Sequence, residues 1–170
     1  MRGTAMILTA MTMALLPAPA GAQERSAAVF DFELHDTSGA DPLKAPDAEH
    51  RARMTQASER LRARLTESGR FKVVDIAQVS AQAHASNLQA CGGCDVTLAD
   101  RVGADLSITG TVYKVSNLIL NMMIFVRDAK TGANVAVMQA EMRGDTDDSW
   151  LRAVDWLVRN RLLASAGAAR

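Results

Sequence analysis

The sequence predicts an α/β chain of the α+β kind, a mixed sheet of about five strands with helices packed mainly on one face, in the order β-α-β-α-(α)-β-β-β-α. Three observations carry this. Phe30 and Phe32 alternate with Asp31 and Glu33 near the start, a period of two. Met54, Ala57, Leu61 and Leu65 recur at three- and four-residue spacing, the stripe of a long helix. Val/Ile/Leu-rich segments then succeed one another from Ala104 to Arg143 with turn residues between them.

Ala27–Leu34 reads as the first strand, and His35–Pro46, with Gly39, Pro42 and Pro46, as a loop. A helix is expected over Asp47–Ser68, ended by Gly69. Phe71–Asp75 is a short second strand, and Ile76–His84 a short alanine-rich helix. Ala85–Cys94 is irregular. Asp95 is then placed to cap a helix through Val102, anchored by Leu98 and ended by Gly103. Strands are expected at Ala104–Val115, Leu118–Asp128 and Asn134–Arg143, joined by Ser116-Asn117 and by a Lys130-Thr-Gly-Ala hairpin turn, all antiparallel neighbours. The last helix starts in Asp145–Asp148, whose carboxylates suit the positive end of its dipole, with Arg159 and Arg161 at the other end. Trp150, Val154, Leu157, Val158 and Leu162 form its apolar face, and Ser165–Arg170 a frayed tail.

The N-terminus reads as an export signal. Arg2 precedes an apolar run from Met6 to Leu16 broken only by threonines, and small residues stand at Ala20 and Ala22. The run is too short to cross about 30 Å of hydrocarbon as a helix. Residues 1–22 are therefore expected to be a signal peptide, leaving 23–170 as a single α/β domain in the periplasm. Its loss removes Arg2 alone among the charges and leaves a net charge near −1. Such a balance gives no general attraction to nucleic acid or anionic lipid.

Leu98-Ala-Asp-Arg-Val-Gly-Ala-Asp-Leu-Ser-Ile-Thr-Gly-Thr-Val112 resembles an element of two envelope families. These are the N-terminal domain of the Tol-system translocation protein B and the periplasmic domain of the curli secretion-channel lipoprotein. Both place a helix before a Gly-Ala pair (here Gly103-Ala104) and a strand ending in Gly-x-Val (here Gly110-Thr-Val112). A broader resemblance covers nearly all of 23–170. Phe30-Asp-Phe-Glu-Leu34, Cys91-Gly-Gly-Cys94, Val115-Ser-Asn-Leu-Ile-Leu-Asn121 and Trp156-Leu-Val-Arg-Asn-Arg-Leu162 are similar to words of an uncharacterised family of exported bacterial proteins. That resemblance implies an envelope setting and no activity. The channel lipoprotein's acylated cysteine and membrane-spanning segments have no counterpart here, so no pore is implied.

Cys91 and Cys94 are the only cysteines. In an exported chain they are expected to form a disulfide, with Gly92 and Gly93 permitting the tight loop. The alternatives are a thiol–disulfide redox pair, with Cys91 attacking and Cys94 resolving, or half of a metal site. Metal binding needs two further ligands, and His35, His50 and His84 stand at no telling spacing, so no metal and no cofactor is assigned. Haem attachment fails because Asp95 follows the second cysteine. Asp31, Glu33 and Asp36 are read as a solvent face or strand-end ion pairs rather than an acid–base pair. Arg51, Arg53, Arg60, Arg62, Arg64 and Arg70, interleaved with Glu49, Glu59 and Glu67, are read as a solvated salt-bridged face rather than an anion-docking surface.

Alternation places Asn121 with Ile119, Met123 and Phe125 on one face, with Asn117 in the turn before it. If that face is covered, the Asn121 amide must find a partner; if it is bare, these residues make a candidate binding face. With no complete catalytic constellation, the leading expectation is a non-enzymatic accessory or interaction module with an envelope protein partner. The alternatives are a redox protein or a small-ligand carrier, the latter requiring a closed apolar pocket.

Overall fold

The computed structural model describes residues 24–39 and 45–164; the expected signal peptide at 1–22 and tail at 165–170 lie outside them. The segment expected to be one first strand is two strands, β1 (Arg25–Val29) and β2 (Glu33–Asp36), separated by three residues. α1 (Ala48–Glu67) leads to β3 (Phe71–Val73), and α2 (Ala77–His84) and α3 (Cys94–Arg101) come next. β4 (Leu106–Lys114), β5 (Leu120–Asp128) and β6 (Asn134–Met142) form an antiparallel meander. α4 (Asp147–Leu157) then continues as a π-helical turn over Val158–Leu162. The sheet order is β3-β1-β4-β5-β6, and β2 carries on beside β4 where β1 leaves off. β1 is parallel to both its neighbours, as is β2 to β4. A mixed sheet results, with α1 and α4 on one face and α2 and α3 covering a corner of the other.

The break between β1 and β2 is held by α1. Ser58 and Arg62 lie one turn apart on the same helix face. Ser58 Oγ accepts from the Phe32 amide at 2.9 Å, and Arg62 donates twice to the Val29 carbonyl, at 3.1 and 2.9 Å. Peptide groups that would otherwise be buried and unpaired are thereby satisfied. The break also separates the two phenylalanines. Alternation predicts one shared face, yet Phe30 packs among Val79, Ala83, Leu88 and Leu98 beneath α2 and α3. Phe32 joins the larger core of Leu61, Leu65, Ile108, Ile124, Trp150 and Leu157 beneath α1 and α4. Its ring lies across Gly110, where a Cβ would overlap it.

α1 begins where expected, with the Asp47 side chain accepting from the His50 amide at 2.9 Å, and Gly69 stands just past its end at φ 62°. Three expectations are corrected. Gly93, at φ 109°, occupies the N-cap of α3, so Asp95 is inside the helix and does not cap it. Thr146 caps α4 through a reciprocal box with Ser149, and Asp145 lies before it. Leu118 and Ile119 belong to a turn, not a strand, because Val115 and Ser116 already bond to the Ile119 carbonyl. The π turn keeps Val158 and Leu162 buried in line with Trp150, Val154 and Leu157.

The basic residues of α1 are matched largely by other elements. Arg53 reaches Asp145 and Asp147, and Arg60 and Arg64 share Asp155. Arg70 donates to the Leu163 carbonyl at 2.6 Å. Contacts advancing together along both sequences mean that α1 and α4 run in the same direction. Arg60 and Arg64 hydrogen bonds hold the Asp155 carboxyl well below the usual carboxylate range.

Gly110→Ala must displace the Phe32 ring and is expected to cost about 1–3 kcal/mol. Urea unfolding checks this: a lowered midpoint with unchanged slope is predicted, and an unchanged midpoint contradicts the packing.

Candidate binding face

The side of the sheet opposite α1 and α4 is built in cross-strand rows. Register places His35, Tyr113, Asn121 and Glu141 in one row. Glu33, Thr111, Met123 and Gln139 form the next, and Thr109, Phe125 and Val137 a third. Residues between them in sequence, such as Val112, Met122, Ile124 and Met138, point to the helices and are buried. One end of the opposite side is covered. Asp95, buried in α3, accepts from Ser107 at 2.9 Å and from Arg127 at 2.8 Å, and Gln89 donates to Thr109 at 2.5 Å. Beyond Thr109 no helix among the described residues lies over the sheet.

Asn121, Met123 and Phe125 share this face and are half-buried, as alternation predicts. Ile119 and Asn117 do not extend it as strand residues. Ile119 stands in the turn, 61% exposed beside Leu118 at 73%, and Asn117 is exposed with its carbonyl accepting from the Asp145 amide at 3.0 Å. The turn adds an apolar rim, since Val115, Leu118 and Ile119 border a groove completed by Asn121, Glu141 and Arg143. β6 contributes Val135 and Val137, 49% and 51% exposed, and β4 contributes Tyr113, on which His35 stacks at 5.2 Å.

The polar groups of this face are incompletely used. Among the described residues, Glu33 Oε2, Thr111 Oγ1, Asn121 Oδ1 and Arg127 Nε are the buried side-chain polar atoms without a hydrogen-bond partner. All four belong to this side of the sheet. Burial pushes the Glu33 carboxyl up despite the bond its other oxygen accepts from the Leu88 amide at 2.7 Å. Asp31, by contrast, pairs with Arg62 and His84 at 2.6 Å each, and Asp36 faces Ser38 and Lys114. The three carboxylates therefore occupy separate environments and form no acid–base pair.

A charged junction that no sequence pattern signals anchors the turn at the rim of this face. Asp145 Oδ2 lies 2.8 Å from both Lys114 Nζ and His50 Nε2, while Asp145 Oδ1 accepts from Trp150 Nε1 at 3.0 Å. His50 Nδ1 lies 2.8 Å from Asp47. Burial alone would raise the Asp145 pKa; bonds from Lys114, His50 and Trp150 outweigh it and hold the carboxyl at about 2. His50 is in phase with the Met54–Leu65 stripe, the one hint in the sequence that it is buried.

Cys91 and Cys94 are joined Sγ to Sγ with their Cα atoms 5.7 Å apart, Cys91 exposed and Cys94 opening α3. No group of three His, Cys, Asp or Glu residues among the described residues is arranged to hold a metal ion. Nor is any described helix long and apolar enough to cross a membrane.

These features define a class: a mixed-sheet module with its helical layer mainly on one side and a partly polar, uncovered antiparallel surface on the other. The chain belongs to the family described as "Protein of unknown function (DUF2380)", which it matches over residues 25–162. No curated protein matches its sequence. Among solved structures it is similar to the LpoB C-terminal domain from Salmonella enterica, with 16% identity and a TM-score of 0.52 over 74% of this chain and 87% of that one. It is also similar to the PelC dodecamer from Paraburkholderia phytofirmans, with 15% identity and a TM-score of 0.49 over 82% and 89%. Lipoprotein GNA1162 from Neisseria meningitidis matches with 16% identity and a TM-score of 0.48 over 85% and 92%. At these identities the likeness to the LpoB domain shows a shared fold.

Asp145 is stabilising while ionised. Its contribution is complete above the ordinary value of 3.8 and falls away as the pH drops toward about 2. Asp145→Asn is expected to lose roughly 3 kcal/mol at pH 6, and the gap from the wild type to narrow between pH 4 and pH 2. Urea midpoints measured across that range check it; a gap independent of pH contradicts the junction.

Proposed function

We propose that this chain is a non-enzymatic accessory module of the bacterial periplasm that docks an envelope protein on the uncovered face of β4, β5 and β6. The observation carrying this reading is that half-buried Met123 and Phe125 and exposed Tyr113 and Val137 share the side of the sheet over which, beyond Thr109, no described helix lies. An open sheet rather than an enclosed cavity favours a protein over a small ligand. The signal-peptide pattern at 1–22 supports the periplasm, as do the Gly103-Ala104 and Gly110-Thr-Val112 words resembling Tol-system and curli proteins. The fold shared with the LpoB C-terminal domain adds to this setting. In this reading the Cys91–Cys94 bridge is structural, tightening the entry to α3 so that Asp95 reaches Ser107 and Arg127.

The redox reading rests on Cys91 being exposed while Cys94 sits at the start of α3, where the helix dipole favours a thiolate. Cys91→Ser with Cys94→Ser separates the two: loss of stability with partner binding retained favours a structural bridge.

A photo-crosslinking residue placed at Phe125 is expected to trap a defined envelope protein in the native periplasm, and one at Glu59 on α1 is not. Equal labelling from both positions, or none from Phe125, contradicts the docking face. The processed chain is expected to begin at Gln23 with both thiols blocked to alkylation until reduced.

A further inference from the structure

We propose that the free edge of β6, together with the basic outer side of α4, forms a second docking groove that takes an extended acidic segment of a partner protein as an added strand. The groove adjoins the uncovered face and shares Gln139, Glu141 and Arg143 with its border, but it uses the outward main chain of β6 and the α4 wall, so the proposal does not depend on that face having a partner.

The edge is set by hydrogen-bond phase. At the two ends of the β4–β5 ladder, Ala129 N donates to the Asp105 carbonyl and Val115 N to the Ile119 carbonyl, at 2.9 and 3.1 Å. Odd-numbered residues of β4 and β5 therefore exchange bonds with one another. Even-numbered residues of β5 turn their peptides toward β6, where Ile124 faces Met138 and Met122 faces Ala140. Val137, Gln139 and Glu141 are left with amides and carbonyls directed away from the sheet, and no other described strand lies beyond them. Edges of this kind are usually blunted by proline, lysine or a bulge. Here Asn134–Met142 contains neither proline nor lysine, and its one irregularity, at Val135, lies at the far end from Glu141.

The chemistry of the groove selects the occupant. One wall is Gln139–Arg143; the other is α4 and its π turn, bringing Arg152, Trp156, Arg159 and Arg161 beside the edge. Asp155, the acidic residue on the α4 wall, is consumed from behind by Arg60 and Arg64 at 2.7 and 2.8 Å. Arg152 is matched by Asp148, whereas Arg143 and Arg159 have no ion pair among the described residues. Arg161 lies over the Trp156 ring at 5.3 Å, and that ring is 39% exposed. The groove as a whole carries Arg143, Arg152, Arg159 and Arg161 against Glu141 and Asp155, so positive charge exceeds negative beside unused main-chain donors and acceptors. An incoming strand gains affinity from main-chain bonds and selectivity from alternate side chains, which here favour carboxylates.

The test uses two synthetic nonapeptides, one alternating Thr and Glu and the other alternating Thr and Lys, with the purified protein at low salt. The acidic peptide is expected to bind at least tenfold more tightly and to slow amide exchange at Val137, Gln139 and Glu141. Val137→Pro removes an outward N–H without touching the ladder to β5 and is expected to weaken binding at least tenfold. The pair Arg143→Glu with Arg159→Glu is expected to reverse the preference, and it decides the question should Val137→Pro fail to fold. Equal binding of both peptides, or binding that leaves exchange at 137–141 unchanged, overturns the proposal. So does finding those amides already protected in a protein that sediments as two chains, which would assign the edge to a second copy.

Discussion

The interruption between Val29 and Glu33 governs how both layers of the molecule are assembled. An unbroken strand there would direct Phe30 and Phe32 to the same side and leave one core starved of its aromatic residue. Because the chain turns over at Phe30–Phe32, one ring enters each of the two apolar clusters. The interruption is tolerable only because α1 presents Ser58 and Arg62 one turn apart, supplying an acceptor for the Phe32 amide and donors for the Val29 carbonyl. Arg62 also draws in Asp31, and His84 of α2 meets the same carboxylate. Helices on opposite sides of the sheet are thereby tied to a single three-residue segment.

That distribution decides what stays uncovered. α1 and α4 are long enough to lie over the full sheet, but α2 and α3 are eight residues each and reach only the corner near Phe30, Ser107 and Arg127. β5 and β6 extend past that cover. Their alternate residues, Asn121, Met123 and Phe125 with Val137 and Gln139, are fixed in register by the ladder, and no described helix lies above them. A surface of that kind suits recognition, since its backbone is fixed in the ladder before a partner arrives, which limits the conformational entropy lost on binding.

Periodicity makes the long elements legible in the sequence. The Met54–Leu65 stripe, the Lys130-Thr-Gly-Ala turn and the Trp150–Leu162 stripe each depend on near neighbours, so local pattern is enough. The uncovered face is legible in part: alternation groups Asn121, Met123 and Phe125, but whether a helix lies over them depends on the lengths and placement of α2 and α3. Contacts between distant segments are hidden. Asp95 looks like a cap because it comes after a Gly-Gly-Cys turn, and only the approach of Ser107 and Arg127 recruits it inward. Asp145 looks like one of several charges at a helix start; its role depends on Lys114 and His50, which no spacing connects to it. The break after Val29 is hidden because its sequence alternates as a continuous strand would, and the side chains that hold it open are 26 and 33 residues away.

A docking role for the β4–β5–β6 side requires that the helical layer leave it accessible. Neighbouring methionines of β5 point to opposite sides, so they read this out directly. In protein labelled at methionine methyls and exposed to a soluble paramagnetic agent, the Met123 signal should broaden strongly while Met122, together with Met142 of β6, stays sharp. Equal protection of Met122 and Met123 would place a covering layer over that side and contradict an open docking face.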